Sequence, residues 1–220
     1  MSGADESPLN GKIVGVYKPP GMTSHDVIDA IRRRTGIKKV GHSGTLDPFA
    51  QGVLVVGIGR EATRQLGKLA QLEKEYRAKL KLGWTSTTDD IEGEKEQVKV
   101  KRIPTRAEIE SELATFQGEI TQVPPCYSAI KISGLPAYKR VRKGEKIEMP
   151  ERTVFIHEME MLYYEWPYLI LRTVTDSGTY IRALARDIGA KLNTGAYLEE
   201  LERTRVGGYS IESCRQIAEL

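Results

Sequence analysis

Asp47 stands near the end of a glycine-rich run, Gly41-His42-Ser43-Gly44-Thr45-Leu46-Asp47-Pro48, five residues after a histidine. Glycines let a backbone approach a ligand closely and take positive φ angles. A lone carboxylate on such a loop is therefore a candidate nucleophile or base. Asp followed by Pro is equally a helix start, with Asp as N-cap and Pro at the first helical position. The local motif leaves both readings open.

Three further segments carry residue types suited to chemistry. Lys74-Glu75-Tyr76-Arg77 sets a tyrosine beside basic groups at a strand start, where a core tyrosine is the simpler alternative. The run from Asp176 to Asp187 enters a helix with Tyr180 and Arg182 in its first turn. A capping segment with a solvated arginine would look the same. Tyr127-Ser128-Ala129-Ile130-Lys131 leads through Gly134-Leu135-Pro136-Ala137-Tyr138 into Lys139-Arg140-Val141-Arg142-Lys143. Aromatic rings among cations suit RNA, where bases stack and phosphates are neutralised. Alone, that run is also an ordinary solvated helix face.

The elements that must position these residues follow from periodicity. Residues 1–10 read as a flexible leader before a domain spanning 11–220. Ile13-Val14-Gly15-Val16-Tyr17 is strand-like, and Lys18-Pro19-Pro20-Gly21 ends it in a stiff turn. Ser24 is placed to cap a helix to about Arg34, with Val27, Ile28 and Ile31 on one face. Val53-Leu54-Val55-Val56 reads as a strand buried on both faces, followed by a helix over about 61–72. In residues 76–82, Tyr76, Ala78, Leu80 and Leu82 alternate with Arg77, Lys79 and Lys81, which predicts one buried and one cationic face. The polar stretch 85–99 reads as an exposed loop or small insertion, and Thr105-Arg106-Ala107-Glu108 as a capping box. Strands are expected over 127–132, 152–163, 168–175 and 205–209, with a helix over 180–192. Strands and helices without strict βαβ alternation predict an α+β fold, its helices covering a large, mixed but mainly antiparallel sheet.

Composition excludes little. With 220 residues, 40% hydrophobic and 29% charged, the chain resembles an ordinary globular protein, and a net charge of +3 permits a nucleic-acid partner without demanding one. Apolar runs are short, so no membrane span or signal peptide is expected. Cys126 and Cys214 form no pattern, which makes a reducing cytoplasm the expected compartment. His25, His42 and His157 are scattered, and no metal-ligand spacing occurs, so no metal site is expected.

Taken together, the segments resemble the pseudouridine synthases of the tRNA pseudouridine-55 type, the TruB family. The likeness runs in order through Lys18-Pro19-Pro20-Gly21-Met22-Thr23-Ser24, the Asp47 loop, Lys74-Glu75-Tyr76, Tyr127–Lys131 and Gly178-Thr179-Tyr180-Ile181-Arg182, from about Gly11 to Tyr209. The resemblance implies the pseudouridine synthase fold and isomerisation of a uridine in the T-loop of tRNA, position 55, by base flipping and with no cofactor, because no atom is gained or lost. It implies that Asp47 attacks the uridine, that Arg182 pairs with the attacking carboxylate, and that Tyr76 stacks on the flipped base and takes part in removing the C5 proton. Tyr180 and Leu201 become pocket walls, His42 fills space near the extruded nucleotide, and Lys18 and Pro19 support the loop. Phosphate contacts are expected from Lys139, Arg140, Arg142 and Lys143, with the strand face of Arg77, Lys79 and Lys81.

Family members commonly continue into a small C-terminal RNA-binding domain of the PUA type, whereas this sequence stops at Leu220, and Glu202 stands where relatives often carry a second base. The expected partner is the T-arm of tRNA, met by a monomer. Two alternatives are kept: the catalytic subunit of a guide-RNA-dependent synthase, and a non-catalytic tRNA-binding or tRNA-folding module.

Overall fold

The computed structural model describes residues 7–128, 130–132 and 134–220; the first six residues of the expected leader, and Ala129 of the 127–132 segment, lie outside that description. Along the chain run β1 (Ile13–Lys18), α1 (Ser24–Thr35), β2 (Val40–Ser43), β3 (Gln51–Ile58), α2 (Arg60–Leu69) and β4 (Lys74–Leu82). Then follow β5 (Trp84–Ser86), β6 (Lys95–Gln97), α3 (Arg106–Ala114), β7 (Gly118–Gln122), β8 (Lys131–Ile132), β9 (Leu135–Pro136) and α4 (Ala137–Val141). The last elements are β10 (Arg152–Glu165), β11 (Tyr168–Thr175), α5 (Ile181–Lys191), β12 (Ala196–Val206) and β13 (Tyr209–Ser210). The class is α+β, with a large, mainly antiparallel sheet and flanking helices.

Residues 7–77 and Leu201–Leu220 form one compact unit. Its centre is β3, which pairs antiparallel with β1 along one edge, from Ile13↔Gly57 to Lys18↔Gly52. Its other edge takes β2, antiparallel from Val40↔Ile58 to Ser43↔Val55, and β12, parallel at Glu202↔Gln51 and Arg203↔Gly52. Both faces of β3 are covered, which is why it reads as an unbroken apolar run. Leu54, Val56 and Ile58 pack with Val27, Ile28 and Ile31 of α1, while Val53 and Val55 pack with Val206. The cap of α1 is Thr23, whose hydroxyl accepts from the Asp26 N–H while the Asp26 carboxylate accepts from the Thr23 N–H. Ser24, expected as the cap, is instead buried. Its hydroxyl is used elsewhere.

Residues 78–200 form the second unit. Its strands lie in the order β12, β4, β11, β10, β7, with β10 antiparallel to both β11 and β7. The alternation expected in β4 is present: Tyr76, Ala78, Leu80 and Leu82 are buried. Thr105 and Glu108 form the expected capping box of α3. The 85–99 stretch is largely exposed and contains the short β5–β6 hairpin. Two expectations need correction. Among the described residues of the expected 127–132 strand, only Lys131–Ile132 (β8) is extended in a sheet. The strand expected at 205–209 is the end of β12, eleven residues long, with a turn at Gly207 and Gly208 before β13.

Candidate active site

No helix follows Asp47. The Ala50 N–H donates to the Asp47 carbonyl at 3.1 Å, a tight turn that passes directly into β3. The loop between β2 and β3 is anchored at nearly every second residue. The Gly44 carbonyl accepts from Nη2 of Arg203 at 3.0 Å. Ser24 holds both backbone groups of Leu46, donating its hydroxyl to the carbonyl at 3.1 Å and accepting from the N–H at 3.0 Å. The Pro48 carbonyl accepts from the Gly21 N–H at 2.8 Å and from Nζ of Lys18 at 3.2 Å. The ammonium of Lys18, fully buried, also donates to the carbonyls of Pro19 and Met22. Lys18-Pro19 and the Asp47 loop are thus tied through one cation, and Asp47 itself stays half-buried.

At the exit of the loop only glycine fits. Gly52 has φ +107°, and a Cβ there would lie 2.2 Å from the carbonyl oxygen of Arg203. That close approach lets β12 pair with β3, and it sets the inward parity of Leu201 and Arg203, both buried.

In the same unit, His42 lies half-buried on β2 with its ring edge-on to His25, centroids 5.5 Å apart. Burial, helped by the charges of His25 and Arg203, pushes its pKa down to about 4, so the ring is neutral near pH 7. Its buried Nδ1 has no hydrogen-bond partner among the described residues. Tyr76 and Leu201 are almost fully buried. Beside Tyr76, Lys74 donates to the carbonyls of Ala70 and Leu72 at the end of α2, and Glu75 accepts from the Thr204 hydroxyl.

Arg182 belongs to the second unit, in the first turn of α5, and is only 6% exposed. Its Nη1 donates to the Asp90 carboxylate at 3.1 Å and to the Thr88 carbonyl at 3.3 Å, and its Nη2 to the Tyr127 carbonyl at 3.0 Å. The solvated-arginine alternative does not hold. Arg186, one helical turn on, repeats the arrangement: it donates to Asp89 and to the Val123 carbonyl, both at 2.8 Å. Two arginines on one helix face therefore hold the same two segments, the 88–90 turn and the 123–127 stretch. Burial raises the Asp89 carboxyl despite Arg186 and Arg182 beside it. Tyr180 caps α5, and the Gln122 amide bonds its N–H at 2.9 Å and its carbonyl at 3.1 Å.

The cations expected to meet RNA differ in how free they are. Lys79 is held by Glu199 at 2.9 Å and Glu200 at 2.8 Å, and Lys81 lies over the rings of Trp84 and Tyr168. Arg140 is half-buried and pairs with Glu145 at 3.5 Å. Lys139, Arg142, Lys143 and Arg77 are exposed, with the Arg142 guanidinium 5.6 Å from the Tyr138 ring centre.

Sequence reading missed two buried charged residues that hold segments around these side chains. Asp90 sits in a stretch read as polar loop, yet it is 1% exposed and accepts from Thr88, the Glu92 N–H and Arg182. Arg203 was passed over because a strand alternating Leu201, Arg203 and Arg205 does not announce which cation is buried. Among the described residues no three side chains converge as a metal site, and no helix is long and apolar enough to cross a membrane.

A family model described as TruB family pseudouridylate synthase (N terminal domain) matches residues 32–181. The chain is 45% identical over 216 residues to a tRNA pseudouridine synthase B of Thermobifida fusca, covering 94% of this chain and 73% of that one. A tRNA pseudouridine synthase B of Parabacteroides distasonis is 44% identical over 218 residues, covering 96% and 92%. Among solved structures, a chain from a Cbf5-Nop10-Gar1 complex superimposes with a TM-score of 0.76 at 30% identity, over 99% of this chain and 55% of that chain. A chain from an H/ACA RNP bound to a substrate RNA containing 2′-deoxyuridine gives 0.73 at 28% identity, over 98% and 54%. This chain thus spans about half the length of those two solved chains.

Proposed function

We propose that this chain, which belongs to the TruB family of pseudouridylate synthases, converts the uridine at position 55 in the T-loop of tRNA with Asp47 as its nucleophile. Membership makes it a tRNA pseudouridine synthase; the site, the position and the role of each residue are our reading. The reaction breaks the N1–C1′ bond, turns the uracil and joins C5 to C1′. The C5 proton leaves and N1 gains one, so atoms and electrons balance without a redox partner.

A base stacked in RNA must first be extruded. The pocket then needs apolar and aromatic walls, one nucleophile, and a cation that keeps that nucleophile ionised. Asp47 takes the nucleophile's role and Arg182 the cation's, while Tyr76 stacks on the base and assists removal of the C5 proton. Tyr180 and Leu201 serve as walls. A neutral His42 suits a residue that fills space near an extruded nucleotide, since covering a neutral ring costs far less than covering a charged one.

The observation that carries this reading is the anchoring of the Asp47 loop. A loop whose Gly44, Leu46 and Pro48 backbone groups are each bonded is built to hold one carboxylate still, which is what positioning a nucleophile requires. Lys139, Arg142, Lys143 and Arg77 are the cations available to T-arm phosphates; Lys79, Lys81 and Arg140 already face partners. Both cysteines are unpaired, as suits a monomeric enzyme of a reducing cytoplasm.

The structural likeness to chains of H/ACA complexes motivates the second reading, a guide-RNA-dependent synthase. One experiment separates the two. Purified protein is incubated with an unmodified tRNA transcript, chelator and no guide RNA, and pseudouridine is mapped. Modification confined to position 55, absent with Asp47→Asn although tRNA still binds within a few-fold, is the expected result. Turnover only after a guide RNA is added would favour the second reading, and an active Asp47→Asn protein would remove Asp47 as nucleophile.

A further inference from the structure

We propose that Arg203 is a positioning residue that clamps both ends of the Asp47 loop, an inference that rests on reading Asp47 as the nucleophile. The loop leaves β2 after Ser43 and enters β3 at Gln51. At its start, Nη2 of Arg203 donates to the Gly44 carbonyl at 3.0 Å. Past its end, Nε donates to the Val53 carbonyl at 2.8 Å. The backbone of Arg203 is itself in register with Gly52, whose missing Cβ permits the approach. One residue of β12 thereby fixes the separation of two points nine residues apart, with Asp47 between them.

The side chain is 1% exposed, and among the described residues it makes no ion pair with a carboxylate. Burying an uncompensated cation is expensive. A strand needing only volume at this place would carry leucine or methionine. What arginine supplies is a planar fork with donors in fixed, divergent directions. A lysine ammonium is a single point at the end of a flexible chain and cannot hold Gly44 and Val53 in one geometry. Lys18 and Ser24 anchor the middle of the loop and the strand pairings hold Val53 and Ser43, so without Arg203 the Gly44 carbonyl is freed and the first half of the loop loses its tie to β3. The consequence is a displaced carboxylate on an otherwise folded protein, and a misplacement near 1 Å costs about a hundredfold in rate.

Single-turnover pseudouridine formation at saturating tRNA tests this, with Asp47→Asn measured in parallel. Arg203→Lys is expected to react about a hundredfold more slowly while its Kd for tRNA stays within about threefold, a displacement of this size being felt in the chemical step and not in binding. Arg203→Ala should regain at least about tenfold in rate with ethylguanidinium, which restores the deleted atoms, and nothing with ethylammonium. Where Arg203→Ala does not fold, Arg203→Lys decides. A normal rate in Arg203→Lys beside an inactive Asp47→Asn overturns the clamp alone. So does a loss in which rate, tRNA binding and folded fraction fall together, for that is a structural role. An active Asp47→Asn protein overturns the nucleophile reading instead.

Discussion

Among the described residues two arginines are buried, one in each unit, and they are treated differently. Arg182 meets a buried carboxylate, Asp90, along with the carbonyls of Thr88 and Tyr127. Arg203 meets the carbonyls of Gly44 and Val53. In the first case most of the cation's desolvation is offset by an opposite charge whose own remaining lone pairs are bonded to Thr88 and Glu92. In the second the charge is left largely uncancelled and backbone dipoles do the stabilising. The difference teaches what each is for. A balanced pair can hold a guanidinium in a set orientation for chemistry, whereas an unbalanced one must justify its cost through the geometry it imposes.

The largest effect that bears on the contrast concerns the fork at position 182. Arg182→Lys keeps the charge and loses the planar geometry, and it should lower the rate of pseudouridine formation about a thousandfold, roughly 4 kcal/mol of transition-state stabilisation. Single-turnover kinetics with unchanged tRNA binding would verify it; a loss below tenfold would mean that a point charge suffices there. The balance itself is tested by Asp90→Ala. Removing Asp90 deprives the buried Arg182 of an opposite charge, so stability should fall by about 3 kcal/mol, seen as a Tm lower by roughly 10 °C. A melt within about 2 °C of the parent would show that the burial of Arg182 does not depend on Asp90.

The smallest effect comes from His42, which feels the charge of Arg203. Its pKa is about 4 when folded against 6.5 when free. Between those values the unfolded chain binds more protons, so stability is full above about pH 6.5 and declines as pH falls toward 4. With allowance for the partial exposure of the ring, the decline attributable to His42 is about 1 kcal/mol. Denaturant melts at pH 7.5 and pH 4.5 should show that much less acid sensitivity in His42→Gln than in the parent. Equal sensitivity in both would remove the histidine from the account.

Local physics made much of this legible in advance. The alternation of Tyr76, Ala78, Leu80 and Leu82 against cations, the Thr105–Glu108 capping box, and the apolar run of β3 each depend on neighbours within a few residues, and each formed as read. The Asp47 loop was visible for the same reason, since glycine and proline restrict the backbone where they stand. The cap at Thr23 was missed by one position because Thr and Ser are both competent and only burial distinguishes them; Ser24 turned inward to hold Leu46.

Residue types and short spacings alone determined the buried run of β3, the alternation of β4, the cap of α3 and the loop that displays Asp47. Which charges would be buried was decided only by tertiary structure. Asp90 and Arg182 are 92 residues apart, and Arg203 and Val53 are 150 apart. Sequence pattern reports the preference of a side chain for water or for its near neighbours. It carries no record of a carbonyl or carboxylate brought up from far along the chain, and such a partner is what makes a buried charge tolerable. For that reason Arg203 of β12, buried in the fold, was passed over in the sequence.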